Sequence, residues 1–124
     1  MFSKIAIVGA GAVGGYYGAQ LARAECEVNF LLRRDLAPVR AHGLRVRQPP
    51  AGDFTLAPVR AFATTAEIGP VDLVVIGLKA TANDALPQLL PPLLGERTAI
   101  LLLQNGLGGD EFLARQFGAA RVIG

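Results

Sequence analysis

The sequence predicts an α/β domain built on a doubly wound, mostly parallel sheet, and three observations predict it. Strand-length apolar runs recur at Ile5-Ala6-Ile7-Val8, at Val71–Leu78 (VDLVVIGL) and at Thr98–Leu103 (TAILLL). They lack the period-two polarity of a half-exposed strand, so they read as parallel strands covered on both faces. Segments with helical spacing alternate with them, which is the pattern of strand–helix–strand units. A glycine series, Gly9, Gly11 and Gly14, follows the first run at the spacing G-x-G-x-x-G and leads into a helix-forming stretch.

Composition bounds the answer. The 124 residues suffice for one domain with a real core, and 52% of them are apolar, which excludes disorder. A net charge of +2, scattered along the chain with no Lys/Arg block, gives no footprint for nucleic acid. The single cysteine, Cys26, rules out an internal disulfide, suggests no metal cluster and reads as a small buried filler. A reducing cytoplasm is the default compartment. No stretch approaches the roughly 20 uninterrupted apolar residues of a membrane span.

The elements follow in order. Lys4–Val8 is the first strand, and Ala12–Ala24 the helix behind the glycines. Val13, Tyr17 and Leu21 recur there at helical spacing and are expected to face the sheet. Tyr16 and Tyr17 read either as a ligand-stacking pair or as one buried and one partly exposed ring. The second strand, Glu27–Leu32, ends on Arg33-Arg34-Asp35. A short helix over Leu36–His42 takes Pro38 in its first turn and Gly43 as its C-cap. Leu44–Arg47 and Phe54–Ala57 flank a Pro-Pro-Ala-Gly-Asp turn and predict a small inserted antiparallel hairpin.

Val59–Phe62 then predicts a short strand, Thr64–Ile68 a helical turn and Val71–Leu78 a buried strand. Thr81–Leu94 carries Ala82, Ala85, Leu86, Leu89, Leu90 and Leu93 on one stripe, which Pro87 and Pro91 must bend or interrupt. Thr98–Leu103 is a further strand, Asp110–Phe117 a helix, and Arg121–Ile123 opens another strand. The expectation is one dinucleotide-binding domain of Rossmann type over residues 1–124, truncated at Gly124.

In an open α/β sheet the ligand lies outside the carboxyl ends of the strands. Gly9 permits the tight turn, Gly11 lets the backbone approach a pyrophosphate, and Gly14 allows close packing of helix on strand. Gly9, Ala10, Gly11, Ala12, Val13 and Gly14 are therefore the candidate cofactor-binding turn. The alternative is a glycine-rich turn with no ligand. An NAD site places an acid at the end of the second strand to bind the ribose 2′-hydroxyl. Here Arg33 and Arg34 stand there, and no carboxylate comes before Asp35. A guanidinium grips a 2′-phosphate dianion with paired hydrogen bonds, so the expected cofactor is NADP(H). The alternative is a solvated charge pair.

Lys79 and Asn105 stand at the mouths of the next two strands. Lys79 is a candidate contact to the cofactor, or else a surface lysine. Asn105 is a candidate contact to cofactor and substrate, or else the first half of an Asn-Gly turn. His42, the lone histidine, carries no expected catalytic role. Neither a Ser-His-Asp set, a carboxylate pair nor Tyr-x-x-x-Lys is visible.

GAGAVGGYYGAQLA, FLLR, LVVIGLKA and LLLQNGLG, in that order and at fitting distances, resemble the N-terminal domain of the 2-dehydropantoate 2-reductase (ketopantoate reductase) family. The resemblance implies NADPH-dependent reduction of 2-dehydropantoate to pantoate, on the way to coenzyme A. It implies that Gly9–Gly14 holds the pyrophosphate and Arg33 the 2′-phosphate. It further implies that Lys79 contacts the cofactor and Asn105 both cofactor and substrate. In that family a helical C-terminal domain supplies the general-acid lysine. No catalytic residue and no metal ligand is therefore expected in this chain, which should bind NADP(H) weakly and not turn over. The remaining expectations are a cytoplasmic location and a small 2-oxo acid partner, with neither nucleic acid nor membrane, and a homodimer left open. Two alternatives stand beside it: the cofactor domain of another two-domain oxo-compound reductase, and a stand-alone nucleotide-binding module.

Overall fold

The computed structural model describes residues 3–9, 12–24, 26–32, 36–46, 52, 54–56, 59–77, 86–103, 115, 117–118 and 121–123. Apolar runs become β1 (Lys4–Val8), β2 (Glu27–Leu31), β6 (Val71–Ile76) and β7 (Leu94–Leu102). With the short β5 (Arg60–Phe62) and β8 (Val122–Ile123) they form one sheet in the order β5-β2-β1-β6-β7-β8. Every pairing in it is parallel. This is the expected doubly wound sheet, whose strand order reverses direction at β1. The expected hairpin is present as β3 (Leu44–Val46) and β4 (Phe54–Leu56), antiparallel and separate from the main sheet.

Both faces of the sheet are covered, and alternation along each strand divides the core. Ile5, Ile7, Val28, Phe30, Leu73 and Val75 point to one side. There they meet helix α1 (Ala12–Arg23) through Leu21 and Ala22, helix α2 (Leu36–His42) through Leu36 and Val39, and the hairpin through Leu44 and Leu56. Ala6, Val8, Leu31, Val74, Ile76 and Ile100 point to the other. That side is closed by Ile68 of α3 (Thr65–Ile68), by Leu86 of α4 (Leu86–Leu89), and by Leu90 and Leu93 around a 3₁₀ turn at Pro91–Leu93. Burying one such Leu, Ile or Phe contributes about 1.5–3 kcal/mol. The two clusters outweigh any single polar contact in holding the sheet.

Local signals fix the element ends. Gly43 takes a φ of 84° and donates its N–H to the Val39 carbonyl at 2.8 Å, closing α2 as expected. Thr64 and Glu67 form a reciprocal capping box at the start of α3. The stripe expected over Thr81–Leu94 buries Leu86, Leu90 and Leu93, but the described helix stops at Leu89 and Pro91 opens the 3₁₀ turn. Residues 81–85 lie outside the described residues. Of the helix expected over Asp110–Phe117, Arg115 and Phe117 are described as helical, and Phe117 packs against the core.

Three expectations need correction. β7 starts at Leu94, four residues before the expected Thr98. A register irregularity between Val71 and Leu73 lets Leu94 pair with Val71. The Thr98 hydroxyl accepts the Gly95 N–H at 2.7 Å and donates to the Val71 carbonyl, which stitches that irregularity. Exposed Glu96 and Arg97 hid this part of the strand from an apolar pattern. Tyr17 does not face the sheet; it is 48% exposed. Next to it on α1, Gly18 and Ala19 are buried. Cys26, expected to be buried, is partly buried beside the β2 cluster.

Candidate functional site at the carboxyl edge of the sheet

Backbone hydrogen bonds continue past the strands and align their carboxyl ends in one row. The Leu32 N–H donates to the Phe62 carbonyl at 2.9 Å, Gly77 to Val8 at 2.8 Å and Leu103 to Ile76 at 2.9 Å. The ends of β5, β2, β1, β6 and β7 therefore stand side by side, each about 4.8 Å from the next. The chain leaves β1 at this edge through Gly9, whose φ of 89° is a conformation that side chains beyond glycine rarely adopt. Three residues later α1 begins, with Ala12, Val13 and Gly14 in its first turn. No acidic residue occupies that turn. The positive end of the helix dipole is thus not neutralised by its own sequence, which favours an incoming anion.

β1 lies between β2 on one side and β6 on the other, so the strand order reverses beside Gly9. Crevices at such reversals, outside the carboxyl ends, are where open α/β sheets take ligands. Ala10, Gly11, Arg33, Lys79 and Asn105 lie outside the described residues. Their chain neighbours do not. Arg33 directly follows Leu32, Lys79 comes two residues after Gly77, and Asn105 two after Leu103. The described strand ends that precede the four candidate groups in the chain stand next to one another, in the order β2, β1, β6, β7.

The remaining polar features sit elsewhere. A cavity of about 270 Å³ is lined by Ala22, Cys26, Val28, Phe30, Leu56 and Val59, with Glu27 and Arg60. It lies towards the amino ends of β2 and β5, away from Gly9. Asp72, near the amino end of β6, accepts the N–H groups of Ser3 and Lys4 and the Ser3 hydroxyl, at 2.9–3.0 Å. The Lys4 N–H first, then Ser3, holds its carboxyl below the ordinary value. Among the described residues, no group of three metal-ligating side chains occurs, and no helix is long and apolar enough to cross a membrane.

Sequence reasoning missed Gly18. A Cβ built on it would stand 2.6 Å from Phe30 Cε1 and 3.0 Å from Ile7 Cγ1. A close approach of helix to strand was expected at Gly14; the structure shows one at Gly18. Its signal in the sequence was a glycine placed mid-helix, against propensity.

Comparison with known proteins agrees with this architecture. The family described as ketopantoate reductase PanE/ApbA matches residues 5–124. A 2-dehydropantoate 2-reductase of Nostoc sp. is 46% identical over 121 residues, 98% of this chain and 38% of its own length. The crystal structure of 2-dehydropantoate 2-reductase from Geobacter metallireducens GS-15 superposes with a TM-score of 0.92 at 53% identity, over 96% of this chain and 39% of that one. A ternary structure of D-mandelate dehydrogenase with NADH and anilino(oxo)acetate superposes at 0.83 with 25% identity, over 96% and 39%. The chain therefore spans about two-fifths of the length of these relatives.

Proposed function

Because this chain belongs to the ketopantoate reductase PanE/ApbA family, we propose that residues 1–124 form the NADP(H)-binding domain of a cytoplasmic, NADPH-dependent 2-dehydropantoate 2-reductase. The observation that carries this reading is the aligned carboxyl edge. There the Gly9 turn at a positive φ meets the amino end of α1 beside the strand-order reversal.

In this reading Gly9, Ala10, Gly11, Ala12, Val13 and Gly14 hold the pyrophosphate through backbone N–H groups. Arg33 grips the 2′-phosphate. Lys79 meets the cofactor from the end of β6. Asn105 meets both cofactor and 2-oxo acid substrate from the end of β7, its amide able to donate and accept. The cofactor, when bound, would supply a hydride to the ketone carbon, and a general acid the one proton that the oxygen takes up to give the alcohol. The turn, Arg33 and Asn105 bind and orient. In the family's pattern that general acid is a lysine of the second, helical domain, so this chain by itself binds without turning over. The residues present fit the cofactor, since the end of β2 carries Arg33 and no carboxylate before Asp35.

One comparison favours a second reading. The similarity to D-mandelate dehydrogenase supports the cofactor domain of a reductase for a different 2-oxo compound. NADPH oxidation by the full-length protein, assayed with 2-dehydropantoate and with aromatic 2-oxo acids, separates the two. A preference for 2-dehydropantoate supports the first reading and a preference for the aromatic acid the second. No cofactor oxidation with any oxo acid would favour a non-catalytic binding module. Turnover by the 124-residue chain alone would contradict the assignment of the proton donor to another domain.

A further inference from the structure

We propose that the cavity beside the β3–β4 hairpin is a binding site for a small uncharged aromatic molecule of one or two rings, separate from the dinucleotide edge. Its walls come from separate elements. Ala22 stands near the end of α1, Val28 and Phe30 on β2, Leu56 on β4 and Val59 just before β5. The volume is about 270 Å³. An apolar cavity of about 150 Å³ already takes benzene, so this one has room for a second ring.

The lining chemistry selects the ligand. Glu27 and Arg60 border the cavity, but their charged heads are engaged by Asn29. Glu27 Oε2 accepts from Asn29 Nδ2 at 3.2 Å, and Arg60 Nε donates to Asn29 Oδ1 at 2.8 Å. Side chains alternate across a strand, so Asn29 points to the face opposite Val28 and Phe30, which floor the cavity. Both charges are thereby drawn to the far face of the sheet. What remains is apolar apart from the Cys26 sulfur. An ion entering such surroundings loses its hydration without a partner, whereas an uncharged ring does not. The Phe30 ring in the floor favours an aromatic guest over an aliphatic one of equal size. Cys26, Leu56 and Val59 are each partly exposed, so the cavity opens to solvent and a ligand has a way in. The hairpin that bears Leu56 pairs with no strand of the main sheet, and Arg23 at the end of α1 lies over its Phe54 ring at 4.5 Å. A guest that touches both Leu56 and Ala22 adds to that tie between hairpin and helix.

Indole is the probe. Thermal melts of the 124-residue chain are recorded with and without it, alone and with NADPH present, together with the rate of Cys26 alkylation by iodoacetamide. Two variants fill the cavity, Ala22→Leu and Val59→Phe. The expected result is that near-saturating indole raises the melting temperature by at least about 2 °C and slows Cys26 alkylation at least about 3-fold, as mass action requires of a ligand bound to the folded chain beside that thiol. Both effects should persist with NADPH and largely vanish in each filled variant. No rise in melting temperature, or no protection of Cys26, would overturn the proposal. So would effects that NADPH abolishes, which would place indole at the carboxyl edge, or effects that neither filled variant reduces, which would place it elsewhere on the surface. Should a variant lack a folding transition, Cys26 protection in the wild type and its persistence with NADPH decide alone. The proposal stands apart from the cofactor reading, since a chain that fails to bind NADPH can still bind indole beside Cys26.

Discussion

The Asp72 carboxylate accepts the Lys4 N–H at 2.9 Å, so the entry to β1 is tied to β6 by a side chain as well as by the ladder. These bonds, with those from Ser3, lower its pKa from an ordinary value of 3.8. A carboxyl group whose folded pKa is depressed contributes stability above its unfolded pKa and loses it as pH falls through the folded pKa. Asp72→Asn should therefore melt at a lower temperature than wild type at pH 7, and the difference should shrink as the pH falls below the ordinary carboxyl value of 3.8. Thermal melts of both proteins across that window check this. A difference independent of pH would show that the contact does not depend on charge.

Asn29 is a polar side chain at 1% exposure on a strand whose other buried residues, Val28, Phe30 and Leu31, are apolar. Its amide donates to the Ile5 carbonyl and to Glu27 Oε2, both at 3.2 Å, and its oxygen accepts Arg60 Nε at 2.8 Å. It links β1, β2 and β5 on one face. Asn29→Ala should lower stability by about 1–3 kcal/mol in urea titration, because it strands buried groups. Arg60→Ala should lower it by less, since Arg60 is exposed and water can replace it.

β5 is the outer strand on its side of the sheet. The Phe62 carbonyl bonds inwards to Leu32, and the Ala61 carbonyl is taken by Arg40, through Nε at 3.0 Å and Nη2 at 2.8 Å. A guanidinium on a strand edge blocks its pairing with another chain. Arg40→Ala should raise self-association, read by light scattering at matched concentration, with the far-ultraviolet circular dichroism unchanged. Arg40→Lys should fall between the two, because an ammonium cannot form the paired contact.

The sheet was legible because Ile5–Val8 and Leu73–Ile76 are apolar on both faces, as a doubly covered strand requires. The hairpin and the α2 cap were legible from local chemistry, the Pro-Pro-Ala-Gly-Asp turn and Gly43. The face of α1 was not. Leu21 does pack against the core, but Tyr17 is more apolar than Gly18, so periodicity put Tyr17 on that face with it. What decides the face is how closely Phe30 comes to the helix axis, a tertiary distance absent from the sequence of α1. The first half of β7 was hidden for a related reason. Its pairing rests on the Thr98 hydroxyl rather than on burial of Glu96 and Arg97. At the site, the motif residues and their places just after strands could be read in advance; the order of those strands across the edge could not. The roles of Arg33, Lys79 and Asn105 rest on their chemistry and on the described residues beside them.

The central claim is that the edge beside Gly9 takes a dinucleotide bearing a 2′-phosphate held by Arg33. Titration of NADPH and NADH against the chain and against Arg33→Ala tests it most directly. The account predicts NADPH tighter than NADH by at least about 10-fold in the wild type, a single charge-assisted contact being worth about 1.5–3 kcal/mol. It also predicts that Arg33→Ala removes most of that preference while leaving NADH affinity unchanged. Equal affinity for the two cofactors, or an Arg33→Ala change that weakens both alike, would contradict it.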